Sequence, residues 1–233
     1  MPEALVRQHS LELDAIVAAA IDDALNALSS QDVRDLNPGE YQGDIAAIVH
    51  EYAQMAGGAG ADFYSELRSE AGLRGFQPKI VTGLNSAAVR AVARWSIGPM
   101  YGAEPNADTA RSRLEGGVQR LVADADRKTI TANVERDPAR ARWYRATSAK
   151  ACAFCAMLAT RGAVYRSSDS ALRSHNHCRC LAVPVFGDKY KLPSHYATFV
   201  AEYDDARKAV AQAGGNATAK NILAAWRAAT ERS

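Results

Sequence analysis

The chain has no long apolar run. Its longest uninterrupted hydrophobic stretch, residues 151–159, is nine residues, against the roughly 20 that a bilayer-spanning helix needs. No transmembrane helix is predicted, and no membrane is expected among its partners. The N-terminus also lacks a basic region followed by an apolar core and a small-residue cleavage site. It opens Met-Pro-Glu and turns acidic, which predicts a protein made and kept, at least initially, in the cytoplasm. Aromatic residues are scarce at 7%, and because strands draw on aromatic and β-branched side chains, an all-β fold is excluded. The hydrophobic fraction, 48%, is weighted instead towards alanine, which supplies 47 of the 233 residues and has the highest intrinsic helix propensity. The length fits one or two domains.

Positive charge is nearly missing from the first part of the chain. Residues 1–70 carry three basic and 13 acidic side chains, net −10, whereas residues 71–233 carry 25 basic and 13 acidic, net +12. The overall +2 therefore conceals a bipolar molecule. The most basic stretch, 127–150, holds Arg127, Lys128, Arg136, Arg140, Arg142, Arg145 and Lys150 against Glu135 and Asp137. Such a stretch suits a polyanion or an acidic protein face, or a solvated helix face laced with ion pairs.

Helical periodicity dominates. Leu13, Ile16, Val17, Ile21, Leu25 and Leu28 predict a helix over 3–29, with Asp14, Asp22 and Asp23 turned outward. Asn37-Pro38-Gly39-Glu40 has the cap, the first-turn proline and the acid three positions on that start a helix. That helix runs to about Leu73 on a stripe of Ile45, Ile48, Val49, Tyr52, Met55, Phe63 and Leu67, and Gly57-Gly58-Ala59-Gly60 implies a close crossing or a kink. Residues 74–84 read as a loop. Asn85 then caps a helix that Gly98-Pro99 stops. A further helix covers 106–136, with Gly116-Gly117 as a weak point and a signal that fades after Asp126, before Asp137-Pro138 breaks it. Residues 142–147, 163–166 and 180–186 are β-compatible. Alanine-rich helices over 194–213 and 217–229 follow, separated by Gly214-Gly215.

All four cysteines fall within 152–180, as Cys152-Ala-Phe-Cys155 and Cys178-Arg-Cys180, with His175 and His177 just upstream of the second pair. Outside an oxidising compartment, clustered cysteines point to a metal site or a redox pair before structural disulfides. Zn²⁺ takes tetrahedral nitrogen and sulfur ligands, and Cys152-x-x-Cys155 has the usual spacing. Cys178-x-Cys180 is tighter than usual, which favours His175 or His177 in place of one thiolate. Reduced cysteines packed as small hydrophobes are the structural alternative. A redox reading draws on Lys150 near Cys152, but no strand–helix–strand unit precedes the pair as a thioredoxin-type motif requires. Zinc deaminase chemistry needs an upstream His-x-Glu and a Pro before the Cys-x-x-Cys, and both are missing. His50-Glu51 begins a zincin motif that fails at Gln54. His175-Asn176-His177 is contiguous rather than a spaced nuclease motif. Among the serines and the histidines His9, His50, His175, His177 and His195, no Gly-x-Ser-x-Gly elbow occurs.

From Arg142-Trp143 through Cys152-Ala-Phe-Cys155-Ala-Met-Leu-Ala, the Gly162 turn, His175-x-x-Cys178-Arg-Cys180 and Pro184, the sequence resembles the MuF-like minor head proteins of tailed bacteriophages, especially those infecting actinobacteria. The likeness spans about 127–190. The family histidine falls on His175, His177 lies outside the pattern, and Asn176 stands where a proline often follows. The resemblance implies a structural protein of the phage head, present in few copies, associated with portal and genome and aiding head assembly or DNA delivery.

These readings predict a mostly α, overall α+β chain: a helical region over 1–126, a Cys/His-bearing strand module over 127–190 and a helical tail over 191–233. One structural zinc on four of Cys152, Cys155, Cys178, Cys180 and His175 is the candidate cofactor, with no catalytic residue assigned. A disulfide between the cysteine pairs is the second outcome. Expected partners are the portal protein, the major capsid protein or scaffold, and phage DNA through 127–150, in a virion assembled in the host cytoplasm. The alternatives are a capsid maturation protease and a metal-stabilised DNA-binding module.

Overall fold

Helix boundaries fall where local capping chemistry puts them. The computed structural model describes residues 2–29, 37–101, 103–167, 174–188 and 190–232, so residues 168–173 and 189 of the expected module lie outside it. Among the described residues 66% are helical, mostly α with one small antiparallel sheet, and no described helix is long and apolar enough to cross a membrane. α1 (Pro2–Ser29) buries Leu13, Val17, Ala20 and Ala24, one stripe at helical spacing. α2 (Pro38–Glu70) begins at Asn37, whose Oδ1 accepts from the Gly39 N–H at 3.0 Å. α3 (Ser86–Ile97) begins at Asn85 in the same way and tightens into a 3₁₀ turn over Gly98–Tyr101. α4 (Ala107–Arg136), capped by Asn106, lies against α1, α2 and α3 and is the spine of the fold.

Small residues permit the close α2–α4 crossing. A Cβ on Gly60 would lie 2.7 Å from Asp126 Oδ1, and one on Gly57 would lie 3.1 Å from Thr129 Oγ1 of α4 and 2.8 Å from Ile80 Cγ2 of the 74–84 segment. Of the expected α2 stripe, Met55 does not belong to the core: it is half exposed, and Ala53 and Ala56 are buried beside it. Gly116 and Gly117 do not weaken α4. They let α3 and a later loop approach it, since a Cβ on Gly117 would clash with Val92 and one on Gly116 with His177.

The second half of α4 loses its apolar pattern yet stays buried and helical, because its polar groups have partners. Asn133 exchanges hydrogen bonds with the Lys79 backbone (Lys79 N–H to Oδ1, 2.9 Å; Nδ2–H to the Lys79 carbonyl, 2.8 Å), and Thr129 Oγ1 accepts from the Val81 N–H at 3.0 Å. The 74–84 segment is thereby strapped along α4, and α4 runs without a break across positions 126 and 127.

β1 (Arg142–Ala146) and β2 (Leu181–Val185) pair antiparallel, with Trp143 opposite Pro184. On its other edge Trp143 exchanges backbone hydrogen bonds with Tyr165, the one isolated bridge in place of the strand expected over 163–166. Trp143 therefore points its own N–H and C=O away from Pro184, so the proline sits where a missing N–H breaks no ladder bond. β2 packs on α4 and α2 and is buried along its whole length. Between the strands lies α5 (Ala153–Ala159), which periodicity did not reveal. α6 (Tyr196–Gln212) and α7 (Ala219–Ala229) pack on each other and on α5. Among the described residues one buried cluster extends from Leu13 to Trp226, and Cys155, Cys178 and Cys180 form a second.

Candidate metal centre

Two four-residue turns build the centre. Cys152 is the N-cap of α5 and its sulfur accepts from the Cys155 N–H at 3.4 Å, so the first turn of the helix sets both sulfurs on one side. The second turn runs from His175 to Cys178 and is closed by the Cys178 N–H to the His175 carbonyl at 3.1 Å. The expected convergence of the cysteines is observed. Cys155 Sγ lies 3.6 Å from Cys178 Sγ and 4.0 Å from Cys180 Sγ, Cys178 and Cys180 sulfurs are 2.9 Å apart, and Cys152 Sγ is 3.0 Å from His175 Nε2. All four cysteines are free thiols.

Among the described residues, the possible ligand atoms form two triads that share Cys155: Cys152, Cys155 and His175, and Cys155, Cys178 and Cys180. The first is accessible, with Cys152 half-buried and His175 exposed beside an open groove. The second is buried. His175 donates from Nδ1 to the Asn176 carbonyl at 2.7 Å, which fixes the ring with Nε2 facing Cys152, the ring orientation that metal-binding imidazoles use. Three sulfurs with an imidazole nitrogen, or four sulfurs, suit zinc, so the cluster can hold a metal ion. His177 is not among the ligand atoms. It takes a left-handed backbone (φ 63°) and its ring packs against Gly116.

α4 brackets this centre along one face. Gly116, Arg120, Asp124 and Arg127 recur at helical spacing. Arg120 Nε donates to Asn176 Oδ1 at 3.1 Å, Asp124 accepts from Ser174 Oγ at 2.8 Å, and Arg127 donates to Asp124 and, at 2.7 Å, to the Cys180 carbonyl. From β1, Arg145 places Nη1 2.7 Å from Cys180 Sγ, 3.6 Å from Cys155 Sγ and 4.0 Å from Cys178 Sγ. Arg127 and Arg145 are each 1% exposed. Burial works against both guanidinium charges, yet the adjoining sulfurs, with Asp124 beside Arg127, outweigh it and push both pKa values up. The basic stretch thus contributes two of its seven cations to the interior rather than to a surface.

The thiols divide their protons unevenly. Hydrogen bonding from the Cys155 thiol outweighs burial and, with the Cys155 N–H and His175, holds Cys152 at about 5. Cys178 is pushed well down by hydrogen bonds from Cys155 and Cys180, and Cys155 is pushed up by its hydrogen bonds to Cys152 first and then to Cys178 and Cys180, with burial adding to the rise. Lys150, the cation that the sequence placed near Cys152, is not among the causes. His50 is committed to its own helix, its Nδ1 2.7 Å from the Ala46 carbonyl. His195 meets the Thr147 carbonyl at 2.9 Å. His9 Nε2 lies 2.9 Å from Asp126 Oδ1, with both side chains buried.

Sequence reasoning missed Arg145, Arg127, Arg120 and Asp124. The available signal was the i, i+4, i+8, i+11 spacing of Gly116, Arg120, Asp124 and Arg127 on one helix face. Arg145 carried none, because its partners are remote in sequence. A protein-family model described as VG15 protein matches residues 2–206. No curated protein and no solved structure matches the chain.

Proposed function

The chain belongs to the VG15 protein family, a family of phage proteins, and from that membership we propose that it is a structural minor head protein of a tailed phage, of the MuF-like type. In this reading it associates with portal and genome and aids head assembly or DNA delivery. One observation carries it. The Cys/His centre is fastened to α4 through Ser174, Asn176 and Cys180, so it cross-links the helical bundle to the C-terminal module. Its side chains are engaged with one another and with the backbone. Such a joint suits a part that docks into an assembly as one unit.

One structural zinc completes the centre. Zinc in such a site supplies a strong cross-link between side chains distant in sequence, on the order of 10 kcal/mol in small metal-dependent modules. The partners are the portal protein and the major capsid protein or scaffold. Phage DNA would meet the cations of 127–150 outside the core: Lys128, Arg136, Arg140, Arg142 and Lys150. Mass spectrometry of purified virions and empty proheads tests the reading, with the protein expected in both at low copy number. Its absence from both particles sinks the reading. Cleavage of the major capsid protein by the purified chain, abolished by a single Ser or His substitution, replaces it with a capsid maturation protease.

A further inference from the structure

Five side chains compete for the four positions of a tetrahedral zinc, and their surroundings are unequal. Cys152-x-x-Cys155 and His175-x-x-Cys178 are matching turns whose first and fourth residues all belong to the cluster, Cys178 joining the accessible triad through its neighbour Cys155. Cys180 stands outside both turns, as the residue that leads into β2. It is fixed at two points, its carbonyl by Arg127 at 2.7 Å and its sulfur by Arg145 at 2.7 Å. The Arg145 Nη1 that holds it also lies within 4.0 Å of the other two sulfurs of the buried triad, so a cation already occupies the space a metal would need there. Of the two sulfurs that could complete the accessible triad, Cys178 is the nearer to Cys155, 3.6 Å against 4.0 Å, and the farther from Arg145, 4.0 Å against 2.7 Å.

We infer that the zinc ligands are Cys152, Cys155, His175 and Cys178, and that Arg145 is a positioning residue that holds the Cys180 sulfur out of the coordination sphere. The inference rests on the structural zinc proposed above. Three thiolates and a neutral imidazole around Zn²⁺ leave one net negative charge on a site whose Cys155 and Cys178 sulfurs are buried. Burying a charge is costly unless it is paired, and Arg145 provides opposite charge beside the sulfurs. Cys180 then acts as a sulfur acceptor that fixes the guanidinium, and through it β1, against the metal centre, as a hydrogen-bonded outer partner does at other metal sites.

The full-length protein loaded with zinc, and separately with Co²⁺, tests this. X-ray absorption at the zinc edge of the unsubstituted protein should show three sulfurs at about 2.3 Å and one nitrogen at about 2.0–2.1 Å, whereas four sulfurs overturn the assignment. Cys180→Ser should retain one metal per chain and an unchanged Co²⁺ ligand-field spectrum. Cys178→Ser and His175→Ala should alter that spectrum and weaken binding by more than about tenfold. Arg145→Gln should release Cys180 to compete with His175 and shift the Co²⁺ spectrum towards four sulfurs, and Arg145→Lys should restore the original. A folded Arg145→Gln protein with an unaltered spectrum shows that Arg145 does not set the ligand choice. Failure of the unsubstituted protein to take up zinc removes the zinc proposal along with this one, while the head-protein reading is judged separately on virion composition.

Discussion

At the scale of single residues, the polar groups inside the core carry the sharpest expectations. His9 and Asp126 are 2% and 0% exposed, the imidazole is stacked on Phe63 at 4.2 Å, and Gly60 is what admits the carboxylate beside α2. Removing Asp126 leaves the buried imidazole without its polar partner, at a cost of up to about 3 kcal/mol. Asp126→Ala should therefore lower the thermal midpoint by on the order of 10 °C, measured by circular dichroism; a shift within 2 °C would mean that water already solvates the pair. Cys178→Ser removes one proposed ligand at nearly constant size. Its expected effect is local, with limited proteolysis cutting within 142–190 while 1–126 stay resistant and helical content falls only slightly. A variant that keeps full protease resistance while losing a capsid-processing activity would give Cys178 a chemical role instead.

Elements are joined by ion pairs whose strength depends on pH. Arg68 of α2 meets Asp137, at the end of α4, at 2.8 Å, and Tyr64 donates to the same carboxylate at 3.0 Å. Burial alone would raise the Asp137 pKa, but Arg68, the Ala139 N–H and Tyr64 together hold it below the usual carboxylate range. In the tail, Arg232 binds Glu202 at 2.6 Å and holds its pKa low against the opposing effect of burial, with help from Trp226. Carboxylates with depressed values stabilise the fold above their unfolded pKa, about 4, and lose that contribution as pH falls through the folded value. The thermal midpoint should hold steady from pH 5 upward and drop in more acid solution, and Asp137→Asn should flatten that drop while lowering the plateau. An Asp137→Asn profile parallel to that of the unsubstituted protein down to pH 2 would remove Asp137 from the account.

Over the whole molecule the charge is divided between net −10 in residues 1–70 and net +12 in the remainder. That division supports attraction between copies or towards partners of opposite charge, screened over about 8–10 Å at ordinary salt. Light scattering and portal-capture experiments should show association weakening between 50 and 500 mM salt. Association indifferent to salt would assign the contact to apolar surface instead.

The sequence by itself determined the helix limits and the cysteine neighbourhood. Asn37, Asn85, Asn106 and Thr218 cap where they stand, and Asp137-Pro138 and Gly214-Gly215 end helices, because caps and breakers act on groups within about four residues along the chain. The tertiary structure alone decided that α4 stays buried beyond Asp126, that β2 is covered along its whole length, that α5 forms across the first cysteine pair, and that Arg127 and Arg145 face inward. A buried polar or charged side chain is stable only beside a partner that satisfies it. For Asn133 that partner lies in 79, for Arg127 in 180, and for Arg145 in three sulfurs on two other segments, separations that no local pattern encodes.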